Sequence, residues 1–395
     1  MDQTNDYVQN YGYYRIAKRL RVARYTALFV FLMFTAVLFF AFRQEMTMNH
    51  FRYLLRNIDF SSNVSLFAGD TIYYNGDDDS EFGFVSGGLA VVSDAHVFVT
   101  DRASGVTFSE HHGYKAPRLV SSEKYLLLYD RSGSSLSVYN AFSHLKSFEY
   151  NGTVVAAATS NDGTVAVAVV GDGNYYSTVY VYSASFELLN TISKYKYVTS
   201  LALSESGSSL AIGSVYADDS GEMHSELFFH EVGEKKETAK EVLENESIWQ
   251  VSFFENDSFA VLTDNAILFY DDDGEQVKRV AYPITPNGAY IGKDGVMIFV
   301  SEADSRYQSV YLYDEDGDLD KKNYAIGGTC KSVAEDGKYY YLSVGSELLT
   351  LEKDGDSPIR AELPKDAGKL VSDGERVYYA TSSYARVIDK KTMGR

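Results

Sequence analysis

The sequence predicts an all-β protein, an eight-bladed β-propeller (seven blades being the alternative count), behind a single N-terminal transmembrane helix. Three observations predict it. Residues 25–42, YTALFVFLMFTAVLFFAF, form an apolar run without a charge, a glycine or a proline. From residue 64 onward a strand-and-turn unit recurs with a period near 40 residues. The whole chain of 395 residues holds 33 Tyr and 23 Phe but only 5 Pro, a composition suited to many half-buried strands.

Taken in order, residues 1–24 form a tail with four tyrosines, Tyr7, Tyr11, Tyr13 and Tyr14. Five bases (Arg15, Lys18, Arg19, Arg21, Arg24) against Asp2 and Asp6 give it a charge of +3, leaving −22 for the rest of a chain whose total is −19. The tail is too short to fold alone. It reads as a solvated cytoplasmic segment with interfacial tyrosines, a docking or phosphorylation role being the alternative. Eighteen helical residues at about 1.5 Å each cover roughly 27 Å, enough for the hydrocarbon layer of a bilayer. Only Arg43, Arg52 and Arg56 follow closely, so the positive-inside bias puts the N-terminus in the cytoplasm and the body outside. A cleaved signal peptide competes with this reading. The long basic tail, the length of the apolar core and the lack of paired small residues over 36–46 argue against cleavage.

The single cysteine, Cys330, lies deep in the body, which removes both an acylation site beside the membrane and any intramolecular disulfide. A disulfide-free exported body points to a bacterium with one membrane, and makes the sequons at Asn63, Asn151, Asn245 and Asn256 chance matches. An acidic body argues against nucleic acid as a partner, because phosphate binding needs a cationic face.

Residues 43–63 read as an amphipathic stalk, with Phe51, Leu54, Leu55 and Ile58 at helical spacing. Residues 64–395 form the propeller. One unit, an apolar strand running into an acidic or small turn, recurs with its last strand position at Thr100, Tyr139, Tyr182, His230, Tyr270, Tyr313, Leu351 and Ile388. A second unit closes in tight turns at Gly163, Gly207, Gly295, Gly337 and Gly374, each followed by another strand. About four strands per repeat is the mark of a propeller blade. The glycine turns join strands A and B, where positive φ is expected, and the acidic turns join C and D. Because the last repeat ends soon after its C strand, residues 64–74 (VSLFAGDTIYY) are expected to supply the missing D strand and close the ring. One stretch alone, residues 234–245 (EKKETAKEVLEN), could pass for a helix.

With these repeats in view, the body resembles the quinoprotein-like and WD40-like propeller superfamilies. The whole chain resembles a family from clostridial, Gram-positive gut bacteria known as a domain of unknown function, with a basic tail, one membrane helix and a Tyr-rich propeller. Its shared features, the turns YDDDG at 270–274 and YDEDG at 313–317, are architectural, so the resemblance carries over no catalytic residue. The Gly-His and Trp-Asp pairs of true WD40 repeats are missing. Trp249 is the sole tryptophan, so the repeated tryptophan docking motifs of quinone-dependent dehydrogenases are missing too.

No cofactor or metal site is expected. Asp314, Asp316 and Asp318 alternate as in a calcium loop, but Leu319 and Lys321 stand where a glycine and a bidentate acid belong. The triplets Asp271–273 and Asp77–79 read as acidic turns in the same way. His111 and His112 lack a nearby third ligand for zinc. Cys330 reads as a small buried residue. No nucleophile elbow or phosphate-binding glycine loop is present.

One asymmetry bears on function. The B–C connections at 171–177, 216–224 and 302–308 are long, while the A–B turns are tight, and binding residues tend to sit on such variable connections. Tyr175, Tyr176, Tyr216, Asp218, Asp219 and Tyr307 are therefore the candidate recognition surface, acidic and aromatic. The expected function is a membrane-anchored binding or scaffold module at the cell envelope, with a protein or wall glycan as ligand. The alternatives are an envelope hydrolase or lyase working in the central channel, and a single-pass sensor signalling to the tail.

Overall fold

The computed structural model describes residues 3–41 and 71–388, apart from 78, 102–104, 172, 235, 283, 302–306, 354–357 and 366. The expected stalk at 43–63 lies outside the described residues.

The first unit is one helix, Gln3–Ala41, of 39 residues, roughly 58 Å long at helical rise. Its segment Lys18–Val37 is long and apolar enough to cross a membrane by length and composition. Leu28, Phe29, Val30, Phe31, Leu32, Met33 and Phe34 are all exposed, so the apolar surface runs around the whole helix.

The second unit is eight four-stranded antiparallel sheets. Seven are simple meanders of consecutive strands: blade 1 over 81–111, blade 2 over 117–149, blade 3 over 153–194, blade 4 over 197–243, blade 5 over 248–281, blade 6 over 288–326 and blade 7 over 330–362. Blade 8 takes three strands from 369–387 and its fourth from the other end of the body, Thr71–Tyr73. The count is thus eight, and the irregular first and last repeats are genuine blades.

Strand burial explains the sequence texture. In blade 5 the middle strands Phe259–Thr263 and Ala266–Tyr270 are wholly buried, whereas the outer strand Gln276–Ala281 is largely exposed. Each middle strand is covered on both faces by neighbouring blades, so it reads as an unbroken apolar run rather than an alternating one. The core divides accordingly into eight clusters, each shared by two adjacent blades. The first strands of most neighbouring blades lie against each other at the centre, including those of blades 8 and 1.

The closing strand Thr71–Tyr73 pairs antiparallel with Tyr384–Val387, setting Thr71 opposite Arg386 and Tyr73 opposite Tyr384. Between them Ile72, 2% exposed, packs with Leu89, Val91 and Phe98 of blade 1 and Tyr378, Ala380 and Ala385 of blade 8. The Tyr74 hydroxyl donates to the Thr381 carbonyl at 2.6 Å. The ring is therefore closed by backbone pairing and by shared apolar packing, through Thr71–Tyr73 of the expected segment 64–74, whose residues 64–70 lie outside the described ones.

Four C strands end at the expected Thr100, Tyr139, Tyr182 and Tyr270, and the other four within one residue of the expected positions. Two expectations need correction. Residues 239–243 form the outer strand of blade 4, Ala239–Leu243, paired with 225–229, and not a helix. Alternate side chains there face the sheet, ending at buried Leu243, which overrides the helix preference of the Glu/Lys-rich stretch. The A–B glycines also differ among themselves. Gly163, Gly207 and Gly374 have positive φ, but Gly295 and Gly337 do not; at Gly295 a Cβ would run into the Tyr313 carbonyl oxygen, so close backbone approach selects it, whereas at Gly337 a Cβ would meet nothing within 4 Å and the structure does not require glycine.

Candidate recognition surface

Strand direction assigns each connection to a face. First strands run towards the A–B turns, so the A–B and C–D turns share one face and the B–C and D–A connections the other.

On the second face a patch is built around the short D–A connection from blade 3 to blade 4. Strand Leu188–Lys194 ends at Lys194 and strand Tyr197–Leu203 begins at Tyr197, so residues 194–197 (KYKY) join them through a bend at 195–196. Lys194 and Lys196 turn onto the blades. The Lys194 ammonium sits 3.4 Å from the Phe228 ring centroid and 3.5 Å from Glu237 Oε2. That of Lys196 sits 3.5 Å from the Tyr216 ring centroid and pairs with buried Glu226. Tyr195 and Tyr197 instead face solvent. Tyr195, 68% exposed, meets Tyr175 at 4.8 Å between centroids, the rings tilted by 49°. Tyr197 stacks on Tyr176 at 5.1 Å and 2°.

Blade 4 extends the patch. Its B and C strands are nine residues each, Ser209–Ala217 and Met223–Glu231, so the expected long loop at 216–224 is a projecting hairpin with a short tip. Asp218 closes the tip: its Oδ1 accepts from the backbone N–H groups of Ser220 and Glu222, both at 2.9 Å, and Gly221 takes positive φ. The Ser220 hydroxyl bond, with these backbone N–H groups and His224, holds the Asp218 carboxyl down to about 2. Asp219 and Glu222 are exposed beside it, and Tyr216 packs against His224 at 5.4 Å. One shared connection thus brings together Tyr175, Tyr176, Tyr216, Asp218 and Asp219. Tyr307 is exposed on blade 6, on a connection whose residues 302–306 are outside those described, and blade 5 separates it from the rest.

Sequence reasoning passed over Tyr195, Tyr197, Glu222 and His224. The alternating KYKY at a blade junction was the available signal for the tyrosines. Trp249 enters the sequence argument only as a missing cofactor motif. In the structure it is the extra residue of a bulge between Ile248 and Gln250, at the start of blade 5, and 47% exposed.

Asp218, Glu222 and His224 offer oxygen and nitrogen atoms that all lie within 4.8 Å of one another, a spacing that a cation can bridge. However, the Asn245 N–H donates to His224 Nδ1 at 3.3 Å, which puts the ring proton on Nε2, facing Asp218 Oδ2 at 3.3 Å. Asp218 and His224 are thus paired to each other within the hairpin tip. Asp314 behaves as Asp218 does, its Oδ1 accepting from the N–H groups of Asp316 and Asp318. His112 Nε2 lies 2.9 Å from the Ser93 carbonyl, and burial lowers its pKa. Burial pushes the Cys330 thiol up to about 11, which leaves it unreactive.

The opposite face holds the mouth of the channel, a cavity of about 970 Å³ lined by all eight blades. Glu123, Glu205, Glu255, Glu335, Asp373 and Glu375 line it with Lys293. Burial, seconded by Glu255, Glu123 and Asp257, raises the Glu205 carboxyl above its ordinary range against the pull of Lys293, 3.8 Å away. Glu335 is fixed: it accepts from the Lys293 N–H at 2.7 Å and pairs with Lys353 at 3.1 Å.

In outline the wheel is similar to solved propellers. BamB from Moraxella catarrhalis superposes with a TM-score of 0.54 at 12% identity, over 80% of this chain and 97% of that one. Sqt1 from Saccharomyces cerevisiae gives 0.56 at 11% identity, over 81% and 98%. At such identities the likeness is one of fold alone, that of a β-propeller. None of the curated proteins compared matches the sequence. The model of a family of unknown function (DUF5711) aligns with residues 71–389, from the closing strand to just past the last blade, and the chain belongs to that family.

Proposed function

We propose that the protein is a membrane-anchored, extracytoplasmic propeller that binds a protein or wall glycan at the cell envelope, through the B–C and D–A face of blades 3 and 4. The observation that carries this is the contiguous patch of exposed tyrosines beside the acidic hairpin tip, assembled from two blades by residues 194–197. Large aromatic side chains left in water are costly, and such clusters mark interaction sites. The apolar girth of the helix supports anchoring, since seven consecutive apolar residues exposed around it need a non-aqueous surrounding. The basic residues before it, up to Arg24, support a cytoplasmic N-terminus.

Two measurements test the reading. Protease added to intact cells should digest a C-terminally tagged body and spare an N-terminal tag; a protected body overturns the topology. Full-length protein in lipid nanodiscs should sediment with isolated cell envelopes, and the quadruple variant Tyr175→Ala, Tyr176→Ala, Tyr195→Ala, Tyr197→Ala should not. Unchanged sedimentation overturns the assigned face. The raised carboxyl of Glu205 at the channel mouth favours a second reading, a hydrolase or lyase working from the other face. Under that reading Glu205→Gln abolishes turnover while sedimentation survives.

A further inference from the structure

Resting on that reading, we infer that the ligand of the patch is a basic polypeptide segment of a partner protein, its lysine and arginine side chains laid across the tyrosine rings towards the carboxylates of the blade 4 hairpin. Four features of the molecule support this. First, the patch joins exposed ring faces to exposed acids: Tyr175, Tyr176, Tyr195 and Tyr197 on one side, Asp218, Asp219 and Glu222 on the other. Aliphatic stems pack on rings, ammonium and guanidinium heads are drawn to ring faces, and carboxylates complete the pairing.

Second, both cations of the connection are already engaged. Lys194 is held by Glu237 and the Phe228 ring, and Lys196 by Glu226 and the Tyr216 ring. The two lysines therefore sit on the blades, while Tyr195 and Tyr197 keep the solvent side. Third, those same contacts show the chemistry in miniature: each ammonium settles within 3.5 Å of a ring centroid next to a carboxylate. Fourth, a net charge of −19 steers basic partners towards the chain over a distance set by ionic strength. The tilted Tyr175–Tyr195 pair and the flat Tyr176–Tyr197 stack together offer the ring surface over which such heads would lie.

The test uses the full-length chain in neutral-lipid nanodiscs and three fluorescein-labelled probes: a twelve-residue Lys/Arg/Gly peptide, the same peptide with Glu for each base, and an N-acetylglucosamine tetramer. Anisotropy should show binding of the basic peptide alone, weakening as salt rises from about 0.05 to 0.3 M. Tyr195→Ala with Tyr197→Ala should raise its Kd about tenfold, as the loss of two cation–ring contacts implies. Asp218→Asn, Asp219→Asn and Glu222→Gln together should do the same. Asp272→Asn, Asp273→Asn and Glu275→Gln, an equal charge change on the opposite face, should leave it unchanged. An unshifted Trp249 fluorescence unfolding transition certifies that each variant is folded. Equal weakening by both acidic triples reduces the effect to diffuse charge and overturns the inference. So does binding indifferent to the tyrosines, or binding of the oligosaccharide in place of the basic peptide. If no probe binds but the tyrosine variant still loses envelope sedimentation, the ligand class is wrong and the face stands. If sedimentation too is indifferent, the underlying reading falls.

Discussion

The residue to perturb first is Ile72, the buried centre of the strand that closes the ring. Ile72→Ala removes three carbons, about 2.4 kcal/mol of transfer free energy at roughly 0.8 per methylene. The cavity left behind adds to this, and such truncations range over about 2–5 kcal/mol. The neighbours Leu89, Val91, Phe98, Tyr378 and Ala385 sit on strands of two different blades, so they cannot collapse together into the gap. The expected loss is therefore in the upper part of the range, about 3–4 kcal/mol. Denaturant unfolding of the full-length chain in detergent measures it. The probe is Trp249, the sole tryptophan, which stands in blade 5 on the far side of the wheel. If closure is cooperative, its transition moves to lower denaturant with an unchanged slope. Val277→Ala, on the outer strand of blade 5 with Val277 57% exposed, should move it by less than about 0.5 kcal/mol. An Ile72→Ala shift no larger than this control, or loss of blade 8 signal with Trp249 unmoved, would refute a ring held shut by that strand.

Two further outcomes follow from the packing. Lys353 bridges blades 6 and 7, with both oxygens of Asp294 at 2.7 Å and Glu335 at 3.1 Å, so Lys353→Met strands a buried carboxylate. The loss should be about 3 kcal/mol, partly recovered by adding Glu335→Gln, as thermal unfolding will show. His230 is buried in blade 4, and burial, seconded by Lys194 and opposed by Glu237, lowers its pKa from 6.5 to about 4. The folded state thus disfavours the imidazolium, and the unfolded chain binds the extra proton. Stability should be complete above pH 6.5, decline as pH falls towards 4, and lose at most roughly 3 kcal/mol from this group. His230→Phe should flatten that part of a stability–pH curve; an unchanged slope removes the assignment.

The wheel was legible because its repeat is local. A C strand ending at Tyr139 or Tyr270 needs only its own run of apolar residues and its own acidic turn, both contiguous in sequence. Residues 234–245 misled for the same reason in reverse: their composition favours a helix, but pairing with 225–229 decides their state. Half of the patch was readable, since Tyr175, Tyr176, Tyr216, Asp218 and Asp219 stand on connections whose length drew notice. Tyr195 and Tyr197 were not, because what makes them a surface is the meeting of blades 3 and 4 in space. The Lys353–Asp294 bridge is hidden likewise, spanning 59 positions of sequence. The bulge that turns out Trp249 leaves no composition signal at all.

The clasp of the wheel has a temporal consequence. Tyr73 and Tyr74 leave the ribosome early, yet their partners Tyr384 and Thr381 come near the end, the latter 307 residues later. Until then the nascent chain carries an orphan edge at each terminus, each a template for wrong pairing. No shortened product lacking residues 384–387 can finish the circle.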